Sequence, residues 1–190
     1  EDTNAARALK AEQTSHQVMN VLSTLQAAGE TAGLTAEASL ENSLKAFTEV
    51  IKVATAANPI NLTDATADNA VGLDALADSF VALVEADNSA DAGKVANLKT
   101  VTSDVLTGVS IVNERVEAAA LVDGKLPTDL SEFVSTTNKL ISDVATAVDL
   151  GNTDDFYIKS ASDALNVAKN KAATAITLTA PSSAVTGVTF

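Results

Sequence analysis

The chain contains no cysteine, a single histidine and few aromatic residues. Without cysteine there is neither a disulfide framework nor thiolate chemistry, and a zinc site would need carboxylates together with His16, the one histidine. Because aromatic residues make up only 3% of the chain, the core must be built from small aliphatic side chains. These absences argue against disulfide-stabilised domains, structural zinc sites and haem pockets.

Long apolar runs and the local motifs of common enzymes are also missing. No run approaches the roughly 18 apolar residues of a membrane-spanning helix. None of the eight glycines precedes a Lys-Ser or Lys-Thr pair, as it would in a phosphate-binding loop. The local signatures of Ser-His-Asp hydrolases do not occur. We therefore expect no membrane span, no nucleotide binding and no enzymatic activity.

Positive charge is scarce as well. The chain has 25 acidic residues against 12 basic ones, which gives a formal net charge of -13. Such a field repels the phosphate backbone of nucleic acids and the surface of anionic lipids. Nucleic acid is therefore not expected among the partners.

What the sequence does contain is a series of apolar stripes with helical spacing. The clearest runs between Thr35 and Pro59, with apolar residues at intervals of 4, 3, 4 and 3. A second follows a seven-residue pattern between about residues 90 and 122. A stripe of this kind is usually core, so we expect both to face inward. Their members are Leu40, Leu44, Phe47, Ile51 and Ala54 in the first, and Val95, Leu98, Val105, Val109, Val112, Val116 and Ala119 in the second.

Helix start and stop signals place the remaining helices. They predict helices over residues 4–28, about 64–86 with Thr63 as the cap, 128–150 ending at Gly151, and more weakly 153–174. The fold class expected is all-α: an antiparallel bundle of five to six helices over residues 1–175. A short β-prone tail over residues 176–190 follows the bundle.

The tail alternates apolar and β-prone polar residues. A lone strand is unstable, so we expect it to form a hairpin or an edge strand, to pair with a neighbouring subunit, or to act as a linker to another domain. For pairing between subunits, the candidate assembly residues are Ile176, Leu178, Val185, Val188 and Phe190.

Acidic clusters are the best candidates for binding chemistry. Two loops hold possible weak calcium ligands, Asp87 and Asp91 in one and Asp149, Asp154 and Asp155 in the other. Neither has the glycine and closing glutamate of an EF-hand loop, so helix caps and turns are the commoner interpretation. No other cofactor or metal is expected, and we predict no catalytic residues.

A further carboxylate pair, Asp74 and Asp78, lies four residues apart on one helical face. It would suit acid and base catalysis in a hydrolase, but the solvated-face interpretation is favoured.

These features favour a non-enzymatic structural or interaction module that self-assembles, as a homo-oligomer or with neighbouring domains. The abundance of Ala, Thr, Val and Asp is similar to that of helical segments in secreted bacterial surface proteins, such as adhesins and S-layer proteins. That resemblance favours an extracellular, cell-surface, filament or virion protein, and the start at Glu1 without Met fits a processed secreted protein or an excised domain. The alternative is a helical carrier of an apolar ligand or pigment.

Overall fold

A computed structural model describes residues 3–64, 70–118 and 131–152 of the chain. This part of the chain forms five α-helices and no β-strand, so the all-α prediction is confirmed for it. The sixth predicted helix and the β-prone tail lie outside these residues. The helices are α1 (Thr3–Thr31), α2 (Ala36–Val53), α3 (Leu73–Ala86), α4 (Ala92–Ala118) and α5 (Ser131–Leu150).

Helices α1 and α4 form the centre of the packing. Helix α1 contacts α2, α4 and α5, while α4 contacts α1, α3 and α5. The Lys10 ammonium lies 3.0 Å from the Glu117 carboxylate at one end, and the Asp91 amide donates to the Ala32 carbonyl over 2.8 Å at the other. Because early residues of α1 meet late residues of α4, the two helices run in opposite directions.

The core contains small and medium-sized aliphatic side chains, as the composition predicts. Phe80 on α3 is its largest member and is fully buried. The predicted stripe of α4 faces inward, and six of its members are buried: Val95, Leu98, Val105, Val109, Val112 and Val116.

Two predicted helix ends are confirmed. The Thr35 hydroxyl accepts a hydrogen bond from the Ala38 amide over 3.2 Å, which caps the start of α2. Gly151 follows α5 with a φ of +71°, a left-handed conformation that glycine adopts without strain. Capping and termination therefore follow local residue chemistry at these two positions.

The predicted start of α3 at residue 64 is wrong, because the helix begins at Leu73. Thr63 does not cap it: the Thr63 amide and hydroxyl both donate to the Asn61 side chain, over 2.9 and 2.8 Å. A cap would instead use the Thr63 hydroxyl oxygen as the acceptor for a backbone amide in the first turn of the helix. The described part of the connection instead forms a short bridge between Ile60 and Val71.

A row of hydrogen bonds between polar side chains, here called the polar ladder, lies buried between α1 and α4. The side-chain Nδ2 of Asn20 donates to the side-chain oxygen of Asn113 over 2.9 Å. The side-chain Nδ2 of Asn113 donates to the Leu62 carbonyl over 2.8 Å. The Gln17 amide donates to the Asn113 backbone carbonyl over 3.2 Å, and the Thr137 hydroxyl donates to Asn20 over 2.6 Å. Since buried polar groups are costly without partners, these hydrogen bonds favour the present register of α1 and α4 and also connect it to Leu62 and to Thr137 of α5.

Candidate interaction surface

Helix α2 turns its large apolar side chains outward. Leu40, Leu44 and Ile51 are 40%, 47% and 53% exposed, and Phe47 is half-buried. The prediction that this stripe is core is therefore wrong. The side of α2 that packs inward instead carries Ser39, Asn42, Ser43, Ala46 and Val50.

The narrow space around Ser39 favours this orientation. A Cβ placed on Gly29 of α1 would lie 2.2 Å from the Ser39 hydroxyl oxygen and 3.2 Å from the Phe80 ring. The Ser39 hydroxyl also donates to the Gln26 carbonyl over 2.7 Å. A leucine in place of Ser39 would not fit in this space, so the small residues of α2 face inward and the leucines face out.

We call Leu40, Leu44, Phe47 and Ile51 the α2 stripe. Their spacing of 4, 3 and 4 residues places them in one row along the helix. Contiguous apolar surface of this kind on a folded chain typically marks a site of interaction. Charged residues of both signs border the row: Glu37 and Glu41 in its first half, and Lys45 and Lys52 with Glu49 in its second.

Ion pairs within α2 hold some of these charges beside the stripe. The Lys45 ammonium lies 2.7 Å from the Glu41 carboxylate, and the Lys52 ammonium lies 2.6 Å from the Glu49 carboxylate. All four side chains are more than half exposed, so the pairs contribute little to stability. Their position makes them a charged border that can select a partner.

The carboxylates predicted as weak calcium ligands have local partners in the structure. Asp87 accepts hydrogen bonds from the Ser89 hydroxyl and amide, and these bonds hold the pKa of Asp87 below its usual value. Asp91 accepts from the Lys94 amide over 2.9 Å at the start of α4, and Asp149 pairs with the Lys94 ammonium. These are the cap and turn contacts that the sequence also allows.

The structure therefore brings Asp91 and Asp149 to one lysine rather than to one cation site. In the part of the chain that the structure describes, no three His, Asp or Glu side chains are grouped as a metal ion requires. Asp154 and Asp155 lie outside the described residues. Calcium binding stays a prediction.

An open groove of about 490 Å³ between α3 and α4 contains the other carboxylate pair. Asp74 and Asp78 line it together with Glu85 and Lys99, whose charged groups lie 2.7 Å apart. Both aspartates are exposed, whereas a catalytic carboxylate is usually tuned by burial. The groove can attract cations, but its geometry does not favour acid–base catalysis.

His16 on α1 is half-buried, and its Nε2 lies 3.2 Å from the Glu12 carboxylate one helical turn earlier. This is a contact within one helix.

Among the described helices, none has both the length and the apolar character needed to cross a bilayer.

The sequence of α2 contains a second row with helical spacing, but the spacing does not say which row is buried. Ser39, Ser43, Ala46 and Val50 repeat at 4, 3 and 4 residues, the same intervals as the α2 stripe. The helix therefore has two rows with the spacing of a core face, and the row of smaller residues is buried. The five candidate assembly residues of the tail lie outside the described residues, and their role stays a prediction.

Comparisons of the chain with models of protein families, with curated proteins and with solved structures found no match.

Proposed function

We propose that the chain is a non-enzymatic interaction module, a bundle of antiparallel acidic helices in an extracellular or cell-surface protein, and that it binds a partner through the α2 stripe. The orientation of α2 carries this proposal. Three large aliphatic side chains lie exposed in one row while serine and alanine residues of the same helix are buried. About half of the surface of each of these three aliphatic side chains is left for a partner to cover.

Energetics support a binding role for the stripe. Moving a leucine or isoleucine side chain from water into a packed interface contributes about 1.5 to 3 kcal/mol. Because Leu40, Leu44 and Ile51 are already about half buried, a partner that covers them gains about half of this amount per side chain, and the sum still exceeds the contribution of one exposed ion pair. The net charge of -13 repels other acidic proteins at long range. At the contact itself, the charged border favours partners with complementary charges.

The alternative, a carrier of an apolar ligand, has less support. Asp74, Asp78 and Glu85 line the groove between α3 and α4. Carboxylates in these positions would have to lose water on contact with an apolar ligand, which is costly. The groove suits a cationic molecule better than a pigment or lipid.

Binding of an uncharged apolar dye tests the proposed surface. Nile red mixed with about 1 µM protein should fluoresce on the wild-type chain, and the double substitution Leu44→Glu and Ile51→Glu should reduce the signal at least about fivefold, because two charges interrupt the apolar row. The control is Leu150→Glu, since Leu150 is 55% exposed on α5. Helical circular dichroism should be unchanged in all three proteins.

Equal dye fluorescence from the three proteins would refute the proposal, since the α2 stripe would then not be a distinct apolar surface. The low protein concentration keeps this result independent of self-association.

A further inference from the structure

We infer that the partner of the α2 stripe is the α2 stripe of a second copy of this chain, packed antiparallel about a two-fold axis. This inference rests on the proposed function and names the occupant of that surface. Two properties of α2 support it, the symmetry of the apolar spacing and the distribution of charge along the border.

The spacing of the stripe reads the same in both directions. Leu40, Leu44, Phe47 and Ile51 are separated by 4, 3 and 4 residues, so reversal of the helix leaves the pattern unchanged. An antiparallel copy can therefore set Leu40 against Ile51 and Leu44 against Phe47 along the whole row. A two-fold interface requires this kind of self-complementary surface.

The charged border is complementary to itself in the same arrangement. A two-fold axis perpendicular to the helices brings the same flank of both copies together with the chain direction reversed. Glu37 of one copy and Lys52 of the other then lie at nearly the same height along the helix axis, with an offset of about 3 Å. Glu41 faces the same lysine-bearing half, and the two helix dipoles are also opposed.

A parallel pair lacks these favourable terms. Its two-fold axis runs along the helices, so equivalent ends lie together and the charged flanks lie on opposite sides of the contact. The helix dipoles then repel each other. The Glu37–Lys52 contacts and the opposed dipoles therefore favour the antiparallel arrangement, although it also sets Lys45 level with Lys45 of the other copy.

The size of α2 sets the strength of the association. Its 18 residues span about 27 Å, and one helix pair buries less than the roughly 1,600 Å² of a standard stable interface. Two chains of charge -13 also repel each other, although salt at about 0.15 M screens charges beyond about 8 Å. We expect a reversible dimer that dissociates in the micromolar to millimolar range, roughly.

Sedimentation velocity of the full chain, from about 2 µM to about 1 mM in 0.15 M salt, tests the inference. The wild-type chain should change from monomer to dimer over this range, and Leu44→Glu should abolish dimerisation. Leu150→Glu, which adds the same charge outside α2, should dimerise like the wild-type chain.

Charge reversal tests the antiparallel arrangement. Glu37→Lys and Lys52→Glu should each weaken dimerisation about tenfold or more, because each places like charges together at both ends of the contact. An equimolar mixture of the two variants should restore it, since the lysine introduced at position 37 of one chain then meets the glutamate introduced at position 52 of the other. Mixing cannot repair a folding defect, so this rescue is specific to the interface.

The inference would be overturned by a wild-type chain that stays monomeric at protein concentrations up to about 1 mM. Dimerisation that persists in Leu44→Glu, or that is unaffected by both charge reversals, would also overturn it. Nile red binding that is retained by such a monomer would leave the proposed function standing, with a different protein as the partner.

Discussion

Replacement of Asn113 by alanine is expected to reduce the free energy of unfolding by about 3 kcal/mol, the largest loss we predict for a single polar side chain. Asn113 is fully buried, and its side chain binds both Asn20 and the Leu62 carbonyl. Truncation leaves these buried polar groups without their partner and opens a small cavity. Urea denaturation monitored by circular dichroism measures the change.

A matched control is Asn138→Ala, since Asn138 is exposed on α5. That change should alter the free energy of unfolding by no more than about 0.5 kcal/mol. The double variant with Asn20→Ala and Asn113→Ala should lose less than the sum of the single losses, because the shared hydrogen bond is removed only once. An Asn113→Ala protein as stable as the control would show that the polar ladder does not hold α1 and α4 together.

The second large effect is expected at Gly29 of α1, which lies against Ser39 of α2 and the Phe80 ring of α3. Gly29→Ala should reduce the free energy of unfolding by about 2 kcal/mol, although alanine favours a helix over glycine by about 1 kcal/mol. The new methyl group would lie 2.2 Å from the Ser39 hydroxyl oxygen and 3.1 Å from its Cβ. Thermal denaturation compared with the wild-type chain measures the loss.

Gly93 provides the control, because the only close atom to an added Cβ there is the Asp91 carboxylate oxygen at 3.2 Å. Gly93→Ala should be neutral or slightly stabilising. Adding Ser39→Ala to Gly29→Ala removes the nearest atom and should recover part of the loss. A stabilised Gly29→Ala protein would mean that α2 does not pack against α1 as described.

Local chemistry explains which features the sequence could predict. Helix α4 has a row of valine and leucine residues with a sustained period, and this row was correctly predicted to face inward, although the buried face is wider and also includes Val101 and Leu106. The cap at Thr35 and the end at Gly151 depend on residues a few positions away. Such features need no knowledge of the rest of the fold.

The orientation of α2 could not be predicted in the same way because it depends on a neighbour. Both rows of α2 have helical spacing, and hydrophobicity alone selects the leucines. The deciding factor is the narrow space beside Gly29 and Phe80, which only small side chains can enter. Shape complementarity between distant segments overrode the apolar pattern.

The same limit applies to the polar ladder and to the start of α3. Asn20 and Asn113 are separated by 93 positions, and nothing local to either residue indicates the other. Thr63 was expected to cap α3 but lies in a local turn with Asn61, and the residue types alone do not distinguish these two roles.

The orientation of α2 is the central claim, and cysteine reactivity tests it most directly. Because the chain has no cysteine, Leu44→Cys and Ala46→Cys each introduce one thiol on opposite sides of α2. The protein is kept at about 5 µM and treated with an aromatic disulfide reagent. The thiol at position 44 should react at a rate within about tenfold of its rate in the unfolded protein. The thiol at position 46 should react at least about 100-fold more slowly than it does in the unfolded protein. Fast reaction at position 46 with protection at position 44 would contradict the account, because the α2 stripe would then be core.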